Sequence, residues 1–210
     1  MARYIGPVCR MCRREGMKLF FKGSRCLTEK CAFERRGYPP GQHGQSGKRT
    51  KATDYSTQLR EKQKVKRIYS LLERQFRGYF RKAAQRKGVT GEILLQMLER
   101  RLDNVVYRSG FSASRTEGRQ MVRHGHFQVN SRKVDLPSFL VKEGDVIEVR
   151  ESRREYPRIL EAAAAIGNKV VPSWIQVEMA HYRSRIASLP TREEIPLPVN
   201  EQLIVELYSK

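Results

Sequence analysis

The chain has 210 residues, of which 39% are hydrophobic and 30% are charged, and its 42 Lys and Arg against 22 Asp and Glu give a net charge of +20. This length supports one large domain or two small ones. The charge favours a polyanionic partner, with nucleic acid ahead of an anionic membrane. No apolar run approaches the roughly 20 residues that span a bilayer, and the opening MARYIGP lacks an apolar signal region, so we expect a cytosolic protein.

The positive charge is concentrated at the start of the chain. Residues 1–87 contain 24 Lys and Arg against 6 Asp and Glu, residues 88–155 contain 12 against 10, and residues 156–210 contain 6 against 6. Close positive charges repel one another unless counter-charge is supplied. The first part is therefore predicted to bind a polyanion, and the rest to be mainly folded scaffold.

Four cysteines, Cys9, Cys12, Cys26 and Cys31, form the pattern C-x2-C-x13-C-x4-C within this basic part. Two close pairs separated by a loop suit tetrahedral thiolate coordination, whereas disulfides are disfavoured in a reducing compartment. Because four protein ligands leave no open position, we expect a structural Zn²⁺, with a [4Fe-4S] cluster as the alternative. The metal would supply folding free energy that so short a segment lacks.

A segment rich in glycine and proline follows and is predicted to be an irregular linker. It contains Lys48, Arg49 and Lys51, which suit contacts with a nucleic-acid backbone. From Asp54, as the N-cap, apolar residues recur at steps of three or four as far as Lys87, which predicts one long helix.

A second helix is predicted from Thr90 to Gly110, and a third from Ser112, as its cap, to Gly125. The stretches HFQVN, SRKVDL and DVIEV then alternate as strands do. Further along, ILEAAAAIGNK is predicted to be helical and PSWIQVEM to be extended. The order of helices followed by short strands indicates a small α+β module.

The run LERRLDNVVYRSGFSASRTEGRQMVRHGHFQVNSRKVDLPSFLVKEGDVIEV, residues 98–149, resembles the RNA-binding module named after S-four, the fourth protein of the small ribosomal subunit. MARYIGPVCRMCRREG, PPGQHGQ, LREKQKVKRIY, ERQFRGYF and PVNEQLIVELYSK resemble other parts of the bacterial S-four family. The resemblance covers nearly the whole chain. It implies a mostly helical fold with the small α+β module inserted in a helical domain.

The resemblance and the residue patterns together predict four parts. These are a basic metal-binding segment with the four cysteines at 1–45, a helical domain at 46–97 completed by about 175–210, the RNA-binding module at 98–160, and a C-terminal segment at 161–210 that packs on the helical domain. The family resemblance implies a cytoplasmic, ribosomal protein that binds small-subunit rRNA early in assembly at a junction of several helices. It also implies a position beside the S-five protein and the mRNA entry path, with an effect on decoding accuracy.

The resemblance also assigns candidate RNA-binding residues in the module: Arg101, Ser114, Arg115, Arg119, Gln120, Arg123, His124, His126 and Asn130. We expect Asp103 to hold an arginine in place rather than to touch RNA. Charge and position add candidates outside the module: Arg3, Tyr4, Arg13, Arg14, Lys22, Arg35, Arg36, His43, Lys48, Arg49, Lys51, Lys62, Lys66, Arg67 and Arg74.

Two positions depart from the family pattern. The turn reads Asn130-Ser131, where the family usually has Asn-Gly, so either Ser131 is expected to be slightly strained or the turn is altered. Gly118 stands where alanine is common, which is expected to weaken its helix by roughly 1 kcal/mol.

Two other function classes compete with this prediction. RNA-modifying enzymes can contain a similar module, but they fuse it to a catalytic domain, and no set of acid, base and nucleophile stands out here. A zinc-finger regulator would prefer duplex DNA to folded RNA. We therefore predict a protein that is not an enzyme, with neither a membrane nor a small-molecule substrate among its partners.

Overall fold

The computed structural model describes residues 3–46, 51–165 and 170–209. By its internal contacts the chain divides into two compact units, Met1–Leu94 with Leu197–Lys210, and Leu95–Pro196. This division differs from the predicted one, because residues 175–196 belong with the module and not with the helical part. The physical reason is that two strands within this range extend the module's sheet.

The first unit is helical in its described residues. Its elements are α1 (Cys9–Glu15), a 3-10 turn (Gly23–Leu27), α2 (Ala32–Arg35), α3 (Asp54–Ile68), α4 (Glu73–Ala84), the start of α5 (Thr90–Glu99) and α9 (Glu201–Tyr208). Thr53, and not Asp54, caps α3, because its hydroxyl accepts a hydrogen bond from the Ser56 amide at 3.2 Å.

The prediction of one helix from Asp54 to Lys87 is wrong, because the chain breaks between α3 and α4. Ser70 adopts a positive φ of 52°, and the Leu71 amide donates to the Lys66 carbonyl at 2.9 Å. This is the hydrogen bonding that ends a helix at a left-handed residue. The apolar stripe continues across the break, so α3 and α4 both contribute buried side chains, including Val65 and Phe76.

Helix α9 packs against α3 in this unit. The Gln58 side chain donates to Glu206 at 2.9 Å, and the rings of Phe80 and Tyr208 lie 4.5 Å apart between centroids. Ile204, on α9, is fully buried. Helix α9 is therefore part of the core of the first unit.

The second unit combines the end of α5, α6 (Leu102–Arg108), α7 (Arg115–Arg123) and α8 (Pro157–Ala164) with strands β1 (Phe127–Val129), β2 (Arg132–Lys133), β3 (Val146–Val149), β4 (Ile175–Glu178) and β5 (Arg183–Ile186). The strands form an antiparallel sheet in the order β2-β1-β3-β5-β4. The predicted α+β module is confirmed, as is the extended stretch around Trp174. The helix predicted for ILEAAAAIGNK, residues 159–169, is observed as α8, which begins two residues earlier, at Pro157. Residues 166–169 of that predicted helix lie outside the described residues.

The predicted second and third helices differ from the observed ones. The helix expected from Thr90 to Gly110 is interrupted at Arg101, which forms an isolated bridge with Leu140, and α6 then begins. Helix α7 is capped by Ser114, and not by Ser112, since the Ser114 hydroxyl accepts from the Glu117 amide at 3.2 Å. Its C-terminal end is followed by Gly125 at φ 69°, as predicted.

The core of the second unit lies between the sheet and helices α6, α7 and α8. Phe111, Phe127, Ile147, Ile159 and Trp174 are all less than 2% exposed. No helix in the described part of the chain is long and apolar enough to cross a bilayer.

Candidate nucleic-acid interface

Helix α7, the predicted RNA-facing helix, lies directly against α6. A Cβ on Gly118 would stand 2.9 Å from both the Asp103 carbonyl oxygen and the Ser112 hydroxyl oxygen. Contacts that short do not occur, so the glycine allows the two helices to approach. The expectation that Gly118 only weakens its helix is therefore incomplete, because the absence of a side chain also permits this packing.

Asp103 holds two arginines inside the second unit. Its carboxylate accepts from Arg101 Nε at 3.0 Å and Nη2 at 2.6 Å, and from Arg119 Nη1 at 3.3 Å. All three side chains are at most 5% exposed. Asp103 thus has the supporting role expected of it. Arg101 and Arg119 lie beneath the surface, and the pairing of Arg119 with Asp103 ties α7 to α6.

A second acidic residue, Glu99, organises the neighbouring side chains. It accepts from Asn104 Nδ2 at 2.7 Å and from both Arg108 Nε and Nη2 at 2.9 Å, and its side chain is 1% exposed. Asn104 Oδ1 accepts from Arg115 Nε at 2.7 Å, and the Arg115 guanidinium lies 4.7 Å from the Tyr107 ring centroid. The Arg115 side chain, which is 13% exposed and also lies 3.9 Å from the Glu99 carboxylate, is therefore held in one orientation at the start of α7.

Sequence reasoning missed Glu99, Asn104 and Arg108 as parts of the site. The signal was present in the run LLQMLERRLDN, where a carboxylate follows an apolar stretch and precedes four charged or polar residues. A buried carboxylate requires charged or hydrogen-bonding partners. The identity of those partners depends on how α5, α6 and α7 meet.

The remaining module candidates divide by exposure. Gln120, Arg123, His124 and Asn130 are exposed, whereas Ser114 and His126 are buried. Asn130 is engaged in its turn: Nδ2 donates to Asp145 at 2.9 Å and Oδ1 accepts from the Val146 amide at 2.9 Å. Asn130 and Ser131 have φ values of 49° and 63°, so the predicted strain at Ser131 is confirmed.

In the first unit, most of the predicted candidates lie on the surface. Described residues that are exposed and that were predicted to bind RNA are Arg3, Tyr4, Arg14, Lys22, Arg35, Arg36, His43, Lys51 and Arg74. Lys48 and Arg49 lie outside the described residues. The exposed cations belong to α1, α2, α4 and the irregular segments between them, so a broad basic surface is available for phosphates.

Two half-buried arginines connect parts of the first unit. Arg13 donates from Nε to the Tyr38 carbonyl at 3.0 Å and lies 4.9 Å from the Tyr38 ring centroid, so it holds the proline-rich segment against α1. Arg67 pairs with Glu15, whose side chain is 1% exposed. Burial raises the pKa of Glu15, although Arg67 and Arg60 act in the opposite direction.

Lys62 and Lys66 are paired around Glu73. Their Nζ atoms lie 2.9 Å and 2.8 Å from the Glu73 carboxylate oxygens, and Tyr208 donates its hydroxyl to the same carboxylate at 2.8 Å. Burial would raise the pKa of Glu73, but hydrogen bonds from Lys66, Lys62 and Tyr208 outweigh it and lower the pKa to about 2. Lys62 is 7% exposed, so it supports the core of this unit and is not part of its surface.

The four cysteines are free thiols near one another. Cys9 and Cys12 lie on α1, Cys26 in the 3-10 turn and Cys31 at the start of α2; Cys9 is partly exposed and the others are buried. Burial raises the pKa of Cys12, a hydrogen bond from the Leu19 backbone lowers it, and the charges of Cys9, Cys26 and Cys31 raise it further. Cysteine thiolates suit a thiophilic metal ion. Within the described residues, however, no group of three or more His, Cys, Asp or Glu side chains has an arrangement that could hold a metal ion.

Comparison with known proteins gives matches along the chain. The profile of the family described as "Ribosomal protein S4/S9 N-terminal domain" matches residues 3–99, and that of the "S4 domain" matches residues 100–147. A small ribosomal subunit protein uS4 from Geotalea uraniireducens is 59% identical over 210 residues, covering all of both chains. Over the same full coverage, uS4 from Syntrophus aciditrophicus and uS4A from Symbiobacterium thermophilum are each 60% identical.

Proposed function

The chain belongs to the family of small ribosomal subunit protein uS4, and from this premise we propose that it is a structural, rRNA-binding component of the small ribosomal subunit in the cytoplasm. The proposed activity is binding and not catalysis. Lys and Arg would neutralise phosphates and release counterions, while the rigid placement of those charges would select one folded RNA.

The observation that supports this proposal most directly is the arrangement around α7. Arg115 is fixed by Asn104 Oδ1 at 2.7 Å and by the Tyr107 ring, while Gln120, Arg123 and His124 are exposed further along the helix. Pre-orienting a guanidinium lowers the entropy lost when it binds a phosphate. We assign direct RNA contacts to these exposed or half-buried residues and supporting roles to Arg101, Arg119 and Lys62.

The finer functional proposal concerns assembly and neighbours. We propose that the protein binds at a junction of several rRNA helices, that it nucleates subunit assembly, and that it lies beside the S-five protein and the mRNA entry path, where it contributes to decoding accuracy. The strong positive charge of residues 1–87 supports contacts with several RNA strands at once.

For the N-terminal segment we propose a structural metal bound by Cys9, Cys12, Cys26 and Cys31, with zinc ahead of an iron–sulfur cluster. The four free thiols of one short segment support this assignment. The ion would fix the basic surface of residues 1–45 and take no part in a reaction. Elemental analysis and an absorption spectrum of anaerobically purified protein test it: about one zinc per chain, without colour, supports zinc, whereas iron and sulfide with a brown colour support the cluster.

Binding to a small-subunit rRNA transcript tests the main proposal. We expect affinity to fall steeply and log-linearly with salt, and an excess of duplex DNA to compete poorly. Arg123→Gln should weaken binding and reduce the salt slope by about 0.7–0.9, the value for one lost phosphate contact. Lys142→Gln is the matched control, because Lys142 is also exposed in the same unit but lies away from α7 in the sequence.

Preference for duplex DNA over rRNA would instead support a DNA-binding regulator. Chemical modification of the RNA during incubation would support the enzyme alternative. Either result would contradict the proposed function.

A further inference from the structure

A second basic and aromatic surface lies at the opposite end of α7 from Arg115. It comprises Arg123 and His124 at the end of α7, His126 before β1, and Arg150, Arg153 and Tyr156 after β3. We call these six residues the His126 patch. Three of them lie beyond residue 147, where the match to the S4 domain ends.

Backbone and side-chain hydrogen bonds join the two parts of the patch. The Arg150 amide donates to the His126 carbonyl at 2.9 Å, and Arg150 Nη1 donates to the Gly125 carbonyl at 3.3 Å. The turn after β3 is therefore fixed against the corner between α7 and β1, and the patch is one surface built from segments about 25 residues apart.

The charges of the patch are positive and exposed. Arg123 and Arg153 are exposed and Arg150 is half-buried, and none of the three forms an ion pair with a carboxylate in the described part of the chain. Glu151 and Glu155 lie in the same turn, yet the charges that act on His126 are all positive. Burial, followed by the positive charges of Arg153, His124 and Arg150, lowers the pKa of His126.

Three rings give the patch an aromatic face. His126 is 5% exposed and lies between His124, at 6.2 Å between ring centroids, and Tyr156, at 4.8 Å. His126 supports the two outer rings, which are exposed, with Tyr156 at 36%. The Nδ1 atom of His126 is also buried without a hydrogen-bond partner in the described structure.

Exposed rings interleaved with cations fit one kind of ligand. Successive bases of a single strand stack on aromatic side chains while cations follow the phosphates, whereas a paired RNA helix keeps its bases inside. We propose that the His126 patch binds an unpaired RNA segment, with bases on His124 and Tyr156 and phosphates at Arg123, Arg150 and Arg153. The inference rests on the proposed function and adds a second contact, of a different RNA structure, to that of Arg115.

The test uses the full chain and a small-subunit rRNA transcript. Tyr156→Leu keeps apolar volume at the start of α8 but removes the aromatic face, and we expect it to weaken binding by about 5- to 150-fold, the range for one base stack. Tyr156→Phe should bind as the unsubstituted chain does. Arg153→Gln should lower the salt slope by about 0.7, the single-strand value for one phosphate.

Chemical probing of the RNA identifies the strand that is bound. We expect Tyr156→Leu to lose protection of a few unpaired nucleotides and to keep the other protections, and ultraviolet cross-linking to join RNA to peptides containing His124 or Tyr156. If Tyr156→Leu and Arg153→Gln both kept the affinity, salt slope and RNA protections of the unsubstituted chain, the inference would be overturned while the proposed function stood. Loss of protection confined to paired nucleotides would also overturn it. Failure of the unsubstituted chain to bind rRNA would overturn both.

Discussion

Replacing Asp103 with asparagine should destabilise the second unit more than any surface substitution. The carboxylate makes three charge-assisted hydrogen bonds, two with Arg101 and one with Arg119, at 3.0, 2.6 and 3.3 Å. Removing one partner of a buried ion pair costs about 3–5 kcal/mol, because a charge remains buried without compensation. Asparagine keeps one acceptor oxygen, so we expect a loss near the lower limit, about 3 kcal/mol.

Trp174 provides a selective assay for this effect. It is the chain's only tryptophan, and it is 1% exposed in the core of the second unit. Its fluorescence during urea unfolding therefore reports the free energy of unfolding of that unit, and with m about 1–3 kcal/mol/M the midpoint should fall by about 1 M or more.

Two further variants show whether the mechanism is right. Asp135→Asn removes an exposed carboxylate from the same unit and should change the free energy of unfolding by less than about 0.5 kcal/mol. Arg119→Met removes one of the two cations, so combining it with Asp103→Asn should cost less than the sum of the single losses. An ordinary surface substitution changes the free energy of unfolding by at most about 0.5 kcal/mol. If Asp103→Asn changed it by no more than this, the reasoning would be refuted.

Three other substitutions test separate parts of the structure. Gly118→Ala should lower the Trp174-reported stability by about 1 kcal/mol, because overpacking against the Asp103 carbonyl at 2.9 Å outweighs the gain in helix propensity; a more stable variant would contradict this. The pKa of Glu73 is lowered from 4.5 to about 2, so the ionised carboxylate stabilises the folded chain above about pH 4.5, and this stabilisation is lost as the pH falls towards 2. Glu73→Gln should therefore flatten that part of the pH–stability curve by about 1 kcal/mol, a small value because the side chain is 46% exposed. Cys12→Ser should loosen residues 1–45 in hydrogen exchange and weaken rRNA binding while the Trp174 transition stays unchanged; unchanged affinity and protection would argue against the proposed metal site.

Periodicity predicted the existence of most helices and strands but not their ends. The stripe from Leu59 to Phe80 runs through the break at Ser70, since the residues on both sides are apolar at helical spacing. The break depends on a serine in the left-handed region with a backbone hydrogen bond from Leu71 to Lys66, and serine is not a residue that signals this. By contrast, Gly125 ends α7 with the residue type that the conformation favours.

The candidate site was predictable in location and less so in the roles of its residues. Net charge indicated the basic first unit, and motif resemblance indicated α7. Neither separates Arg123, which is exposed, from Arg119, which is 4% exposed one helical turn away. That distinction arises because Arg119 faces Asp103 across the α6–α7 contact, and such a pairing depends on tertiary packing that composition does not specify.

Surface and supporting arginines should therefore affect RNA binding in distinguishable ways. Arg123→Gln removes a phosphate contact, so the salt slope should fall by about 0.7–0.9 while the Trp174-reported stability is preserved. Arg119→Met leaves the surface charges in place but loosens α7 on α6. Because Arg101 still compensates Asp103, stability should fall by about 2 kcal/mol, the cost of one hydrogen bond to a charged group, while the slope per bound molecule is maintained. If Arg119→Met changed the slope and not the stability, Arg119 would contact RNA directly, and the buried ion pair would have to open when RNA binds. Measuring both quantities on both variants separates a contact from its support, which affinity alone does not.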